Sequence, residues 1–468
     1  MTRSGAELLV SALVAQGVRR AFGVPGESYL AVLDALRDST LDFVLCRQEG
    51  GAAFMAEAWG KLTGRPGVAF VTRGPGATNA SIGVHTARGM RGREAFQEID
   101  YRAMFGPLAK WVSEIDSADR VPEIVGRALA TALAGRPGPV VIALPEDMLV
   151  EESEAAVHPA PSMPRWPAAD PADASMARDM IASAERPVAL IGGGGWDTPG
   201  RGGRAALAAF TDFAERAGLP VVTTFRRQDL IDNHAPVFLG DAGVGMAPHV
   251  RRTLRESDLV LAVNARFGET TTDGYELFEL PTMRQRLIHV HPSDAELGKI
   301  YQTAHALHAS PAGFLAALSR LDIPPASHRE HRLRELRAAF LASLEAPERR
   351  AGVDMGRVMA HLRETLPPDA VVTNGAGNFA IWPGRHLLYG PGQRLIAPQA
   401  GAMGAGLPAA AAARIAEPGR LVLCFAGDGD LQMTMQELGT AMQARAMPVV
   451  LVLNNASYGT IRMHQERE

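Results

Sequence analysis

Lysine is nearly absent. Only Lys61, Lys110 and Lys299 occur in 468 residues, so almost all of the 47 basic side chains are arginine. No block concentrates them and the formal net charge is -4, which argues against a general electrostatic grip on nucleic acid. Cysteine is as scarce. Cys46 and Cys424 each sit inside an apolar run, the setting of reduced core thiols in a cytoplasmic protein rather than of a disulfide scaffold. No stretch reaches the roughly 18 uninterrupted apolar residues of a membrane span. The first residues, MTRSGAELLVSALVAQGVRRAFGV, read as an amphipathic helix followed by a strand. They lack the continuous apolar segment and small-residue cleavage site of a signal peptide.

What is present is an ordinary globular composition, 47% hydrophobic and 21% charged, in a chain long enough for about three domains at ~150 residues each. Short β-branched runs alternate with helical patterns. They include GVAFVTRG (67–74), GPVVIALP (138–145), RPVALIGG (186–193), LPVVTT (219–224), SDLVLAV (257–263), RLIHVHP (286–292), DAVVTNG (369–375) and RLVLCFAG (420–427). Most lack period-two alternation, which suits strands buried on both faces of parallel sheets, so the expected fold is α/β. Five prolines in 154–172 mark a linker. The Arg/Glu-rich stretch within 322–350 reads as a solvated connecting helix. The expected domains are 1–150, 165–325 and 345–468.

The stretch AGDGDLQMTMQELGTAMQARAMPVVLVLNN, 426–455, carries the most chemistry. A buried strand ends at Gly427-Asp428-Gly429. Leu431, Met435, Leu438 and Met442 then recur at helical spacing, and a second strand ends at Asn454-Asn455. A right-handed βαβ unit would put Asp428 and Asn455 at the carboxyl edge of one sheet, where open α/β sheets bind ligands. Glycines beside Asp428 let backbone approach a phosphate at the following helix start. One carboxylate, one amide oxygen and a nearby carbonyl, most simply that of Ser457, suit Mg²⁺. Either piece alone could be a mere turn; together they read as a magnesium–diphosphate clamp.

This spacing resembles the signature of thiamine diphosphate-dependent enzymes. FGVPGES (22–28), CRQEGGAAFMAEAWGKLTGRPGVAFVTRGPGATN (46–79), REAFQEIDYRAMFG (93–106) and APQAGAMGAGLPAAAAA (397–413) resemble the acetolactate synthase large-subunit group of that family. The resemblance runs over nearly the whole chain. It implies three doubly wound parallel-sheet domains: pyrimidine-binding, central Rossmann-like and diphosphate-binding, the last incomplete at its C-terminal end. It implies that Glu49 hydrogen-bonds the aminopyrimidine N1′ and so promotes loss of the thiazolium C2 proton. Gly50 to Phe54 beside it should leave that carboxylate poorly solvated with a raised pKa; a glutamate merely favoured by a helix dipole is the alternative. Pro25, Gly26, Thr72 and Asn79 would border the pyrimidine. Met403 would prop the bent cofactor, and Gly375, Asn378, Gly427, Gly429, Asp430 and Gly459 would approach the diphosphate. Asp428, Asn455 and Ser457 would hold the metal. Phe96, Gln97 and Lys110 match substrate-funnel positions, with a surface lysine the equal alternative for Lys110. Because the two halves of the site come from different subunits in this family, the resemblance implies a homodimer or homotetramer acting on a small 2-keto acid.

Several features depart from the pattern. GVHTA (83–87) leads almost directly to RGREAFQEID, where relatives have about a strand more. The chain also ends thirteen residues after Asn455, where they continue. ARFGETTTDGYE (265–276) has Gly268, Glu269 and Thr270 where acetolactate synthases carry an Asp-Asp-Arg cluster, whose arginine would hold the carboxylate of a second 2-keto acid. IGGGGW (191–196) could receive a nucleotide, FAD in some relatives, or serve the fold alone. His85, His291 and the other histidines have no metal-site spacing. The expected activity is acetolactate synthase-like carboligation. A 2-keto acid decarboxylase, a benzaldehyde lyase-type enzyme, a flavin-linked pyruvate oxidase and a non-catalytic relative are the alternatives. A nicotinamide dehydrogenase lacks its GxGxxG fingerprint.

Overall fold

The computed structural model describes residues 2–80, 99–159, 166–193, 196, 203–323, 327–346 and 352–467. They form two units. One comprises Met1–Arg165, Leu407–Gly419 and Leu431–Pro448; the other comprises Trp166–Gly406, Arg420–Asp430 and Val449–Glu468. Each of the apolar runs singled out above forms a strand, and every strand pairing among the described residues is parallel except Arg3–Ser4 with Glu152–Ser153. The architecture is therefore α/β with parallel sheets.

In the first unit, the helix Gly5–Ala15 starts at a capping box. Ser4 Oγ accepts from the Glu7 N–H while Glu7 Oε2 accepts from the Ser4 N–H, so the two groups satisfy each other's orphan donors. Its Leu8, Leu9, Ala12 and Leu13 are buried. The strand Arg20–Gly23 lies between Asp42–Leu45 and Val68–Phe70. The helix Glu49–Thr63 follows directly and stops at Gly64, whose φ of 67° is the left-handed C-terminal conformation that glycine adopts without strain. Cys46 is buried and free, as is Cys424 in the second unit, matching the reduced-thiol expectation. Burial pushes each thiol up to about 12.

The second unit carries a six-stranded sheet in the order Phe238–Ala242, Val221–Thr224, Pro187–Ile191, Leu259–Val263, Arg286–His291, His305–His308. Ala189, Ile191, Leu261 and Val263 pack into one core with Phe210, Phe213 and Phe314, while Val188, Leu190, Val260 and Ala262 pack into another with Phe267 and Tyr301. Both faces are buried, which is why the strands are apolar without alternation. Gly192 and Gly193 follow the central strand. A Cβ on Gly192 would stand 2.5 Å from Thr224 Oγ1, and Gly193 has φ +66° against the Asn264 side chain. Packing alone accounts for these two glycines of the IGGGGW run, with Trp196 buried and its indole N–H donating to the Gly192 carbonyl. Gly194 and Gly195 lie outside the described residues.

The helix Ser327–Ser343 is largely solvated, as its composition predicts, with Arg329 and Phe340 buried. Arg329 is buried and donates to the carbonyls of Ala217, Ile181, Ala182 and Ala184. Arg337 donates to Phe238, Asn233 and His234, and Phe340 stacks edge-on against Phe238. Guanidinium groups that satisfy loop and strand-end carbonyls let a charged helix seal a core, which the count of charges alone does not show.

The buried histidines are structural. His289 Nε2 lies 3.0 Å from the Ala265 carbonyl and the ring is 2% exposed; burial holds it down at about 4. Because the folded state binds fewer protons than the unfolded chain, its stabilising contribution is complete above pH ~6.5 and is lost as pH falls through about 4. The expected loss across this window is up to about 3 kcal/mol. Thermal unfolding of His289→Gln should fall less steeply than that of the natural protein between pH 6.5 and 4. Parallel curves would remove His289 from the acid sensitivity. No helix among the described residues is long and apolar enough to cross a membrane.

Candidate functional site

The second unit also contains a four-stranded parallel sheet in the order Arg394–Ile396, Val371–Asn374, Val422–Gly427, Val449–Leu453. Asn374 pairs with Phe425 and Gly427 with Leu453, so three strands deliver their carboxyl ends side by side. The first leads into Gly375-Ala376-Gly377-Asn378, the second into Asp428-Gly429-Asp430 and the third into Asn454-Asn455. Close approach here needs glycine. A Cβ on Gly375 would stand 1.9 Å from Asp430 Oδ1, on Gly427 2.9 Å from the Phe379 ring and on Gly429 3.0 Å from the Tyr458 ring. One on Gly459 would stand 2.6 Å from Asn455 Nδ2 and 3.9 Å from Asn378 Nδ2. Thr460 Oγ1 donates to Asn378 Oδ1 at 2.9 Å, which ties the loop after the third strand to the loop after the first.

The two acids of Gly-Asp-Gly-Asp behave differently. Asp428 is half-buried at the strand end, and its carboxylate makes no hydrogen bond or ion pair among the described residues. Asp430 is 3% exposed and fully engaged, accepting from the Ala376 N–H at 3.0 Å and the Gly404 N–H at 2.9 Å. Burial pushes the Asp430 carboxyl up, while those two N–H groups and the Arg226 guanidinium pull it back. Arg226 itself donates to the Pro398 and Gly375 carbonyls. Asp430 thus fastens the Gly375 loop to the loop that presents half-buried Met403; its bonds are to backbone rather than open to a ligand. Asn455 Oδ1 accepts from the Ser457 N–H at 3.2 Å, and the Ser457 carbonyl accepts from Gly459 at 2.9 Å. One unengaged carboxylate, a carboxamide oxygen and a carbonyl are the donor chemistry a Mg²⁺–diphosphate takes, so the residues present fit such a group. Among the described residues no cluster of three His, Cys, Asp or Glu side chains could hold a metal.

The segment between the two strands departs from the sequence pattern. It forms two short helices, Asp428–Gln432 and Glu437–Gln443, rather than one. Met435 and Met442, two of the four residues at helical spacing, are exposed, whereas Thr434, Glu437, Thr440 and Ala441 are buried.

In the first unit the loops after Arg20–Gly23, Asp42–Leu45 and Val68–Phe70 also meet at one sheet edge. A Cβ on Gly26 would stand 2.2 Å from Thr72 Cβ, and Ser28 Oγ lies 2.9 Å from Thr72 Oγ1; Pro25 beside them is exposed. Glu49 opens the helix Glu49–Thr63 and is half-buried. Its Oε2 accepts from Asn79 Nδ2 at 3.1 Å, and a Cβ on Gly76 would stand 3.3 Å from its Oε1. Gly26, Thr72, Asn79 and Glu49 are thereby gathered by one sheet edge. Lys110 has a structural occupation, with its ammonium donating at 2.6 Å to the Thr131 and Ala134 carbonyls at the end of the helix Val121–Leu133, a favourable place for a cation. Phe96, Gln97 and His85 lie outside the described residues.

Glycine-lined carboxyl edges of parallel sheets, one carrying a free acid among amides and another an acid held by a single amide, define an enzyme built around a phosphorylated cofactor. The chain matches the thiamine pyrophosphate enzyme N-terminal TPP binding domain over residues 3–91, the central domain over 174–318 and the C-terminal TPP binding domain over 375–468. It is 30% identical over 484 residues to the acetolactate synthase isozyme 2 large subunit of Escherichia coli (strain K12), spanning 99% of this chain and 85% of that relative. It is 31% identical over 483 residues to the isozyme 1 large subunit of the same organism, spanning 99% and 83%. With the acetolactate synthase large subunit of Parasynechococcus marenigrum (strain WH8102) it shares 33% over 497 residues, spanning 99% and 78%. The chain belongs to the thiamine pyrophosphate enzyme family and is acetolactate synthase large-subunit-like.

Proposed function

We propose that this chain is a thiamine diphosphate- and Mg²⁺-dependent enzyme that decarboxylates a 2-keto acid, pyruvate in the first instance, and joins the retained acyl unit to an acceptor. The observation that carries the reading is the gathering of Asp428, Asn378, Asn455 and Gly459 at three adjacent strand ends in a chain of this family. The Asp428 carboxylate, the Asn455 amide oxygen and the Ser457 carbonyl would hold Mg²⁺ with the diphosphate. Gly375, Asn378, Gly427, Gly429 and Gly459 would line the diphosphate closely because none puts a bulky group in its way. Met403 would support the bent cofactor, with Asp430 anchoring its loop from behind. Pro25, Gly26, Thr72 and Asn79 would border the pyrimidine, and Glu49 would hold a proton in a hydrogen bond to N1′. The bound cofactor supplies an electron sink at the thiazolium ring for the electrons left when CO₂ departs.

A homodimer or larger homo-oligomer with sites at its interfaces fits this reading. Val449, Val452, Tyr458 and Ile461 are exposed on the second unit, and grouped apolar surface of this kind favours assembly. Free, buried Cys46 and Cys424 support a cytoplasmic location. Gly268, Glu269 and Thr270 support a second version of the acceptor step. Gly268 faces open space and positions 268–270 carry no arginine to fork onto the carboxylate of a second 2-keto acid, so an aldehyde acceptor suits the site better than another pyruvate.

Incubating the protein, thiamine diphosphate and Mg²⁺ with a panel of 2-keto acids, with and without aldehydes, tests both versions. CO₂ release with a new 2-hydroxy ketone is expected. Cofactor binding without CO₂ from any acid would leave a non-catalytic relative. A flavin spectrum in the purified protein would favour the oxidase alternative and the IGGGGW turn as its site.

A further inference from the structure

Glu437 has no part in the functional reading, yet it is the most enclosed carboxylate among the described residues of the first unit, at 0% exposure. It enters from the short helix Glu437–Gln443, between the Gly-Asp-Gly turn and the Asn pair, and it meets the chain 390 residues earlier. The Arg47 N–H lies 3.2 Å from its Oε1 and 3.3 Å from its Oε2, and Thr440 Oγ1 donates to Oε2 at 2.6 Å. A Cβ on Gly51 would stand 2.4 Å from Oε1, so only a glycine lets the carboxylate settle over this turn. Arg47 grips the same short helix from its other side, with its guanidinium donating to Gln443 Oε1 at 2.7 Å. Burial pushes the Glu437 carboxyl up, and the Thr440 hydroxyl with the Arg47 and Gln48 backbone N–H groups pulls it back.

These contacts surround the start of the helix Glu49–Thr63. A helix start leaves N–H donors without partners and carries positive potential. That potential attracts an acidic side chain in the first turn. Here other groups take those donors: Glu437 receives the N–H of the N-cap Gln48 together with that of Arg47 just ahead of it, and Gln48 Oε1 receives Gly51 at 3.0 Å. Glu49 is left with Asn79 as its one side-chain partner among the described residues.

We propose that Glu437 is a positioning residue for Glu49, a carboxylate from the diphosphate half of the chain that occupies the backbone donors ahead of the Glu49 helix and so frees the Glu49 side chain to face the cofactor. Without it, Glu49 competes for its own helix start. The inference rests on the role proposed above for Glu49.

The test uses Glu437→Gln, which keeps the shape but sets an NH₂ group against N–H donors. In the cofactor-free protein, amide hydrogen exchange of the segment 44–54 should accelerate. With saturating thiamine diphosphate and Mg²⁺, C2 proton exchange per bound cofactor should fall by about tenfold to a hundredfold while cofactor affinity stays within about threefold. Glu437→Asp should recover part of the rate. Thr440→Val, which removes one donor to the carboxylate, should show the same pattern at a few-fold size, and it decides the matter if Glu437→Gln does not fold. An unchanged exchange rate in the variants overturns the inference alone. So does a fall in affinity that matches the fall in exchange, since Glu437 would then merely hold the fold. A natural protein that binds the cofactor but shows no C2 exchange overturns the reading of Glu49 and this inference with it.

Discussion

In Glu49→Gln, C2 proton exchange of the bound cofactor falls by about 10³-fold or more, while the affinity for thiamine diphosphate and Mg²⁺ stays within about fivefold. The substitution keeps the length of the side chain and its place in the first turn of the helix Glu49–Thr63. It removes only the ability to ionise and to hold a proton shared with N1′. Asn79 Nδ2, now donating to Oε2 at 3.1 Å, can donate equally to the glutamine oxygen, so the helix Arg73–Ala80 has no reason to move. Diphosphate binding is assigned to residues of the other unit, which explains why affinity should survive. The measurement is quenched deuterium exchange at C2 followed by NMR, beside a calorimetric titration. An exchange rate unchanged from the natural protein would refute the role given to Glu49.

The second large effect separates two acids that are two residues apart. Asp428→Ala should weaken cofactor and Mg²⁺ binding by roughly 100-fold or more, about 3 kcal/mol, through loss of the carboxylate proposed to hold the cation. Its thermal unfolding in the absence of cofactor should be nearly unchanged, because the Asp428 carboxylate has no partner among the described residues to lose. Asp430→Ala should do the reverse of this in order of cause. Removing a carboxylate that accepts from Ala376 and Gly404 leaves two backbone N–H groups without their acceptor and takes a negative charge from beside the Arg226 guanidinium. A loss of stability of about 2–4 kcal/mol is expected before any ligand is added. Calorimetric titration and cofactor-free melting of both variants check the pair. Natural affinity in Asp428→Ala would remove the metal assignment, and natural melting in Asp430→Ala would remove the anchoring role.

Much of this was legible in the chain. Continuous β-branched runs predicted parallel strands buried on both faces because burial on both sides removes the need for alternation. The Gly-Asp-Gly and Asn-Asn ends predicted a shared sheet edge because a right-handed crossover returns the strand parallel to itself. Both rules are local, so residues in order suffice. The core contacts of the helix Ser327–Ser343 went unseen and the segment after Asp428 was misread for one reason. Periodicity says which side chains share a face, but not which face finds a partner. Met435 and Met442 share a stripe yet stay exposed, and Thr434, Glu437 and Thr440 on another face are the ones covered.

By itself, then, the amino-acid order determined the fold class and placed the acids and amides at the strand ends, since these follow from short-range pattern and motif spacing, while the cofactor family came from the resemblance those motifs carry. Only the tertiary structure decided which of Asp428 and Asp430 is left open, that Arg329 serves a core, and that Glu437 reaches the helix of Glu49. Those outcomes depend on hydrogen bonds between segments far apart in the chain, where burial sets the cost of every unpaired donor and no local signal announces the partner.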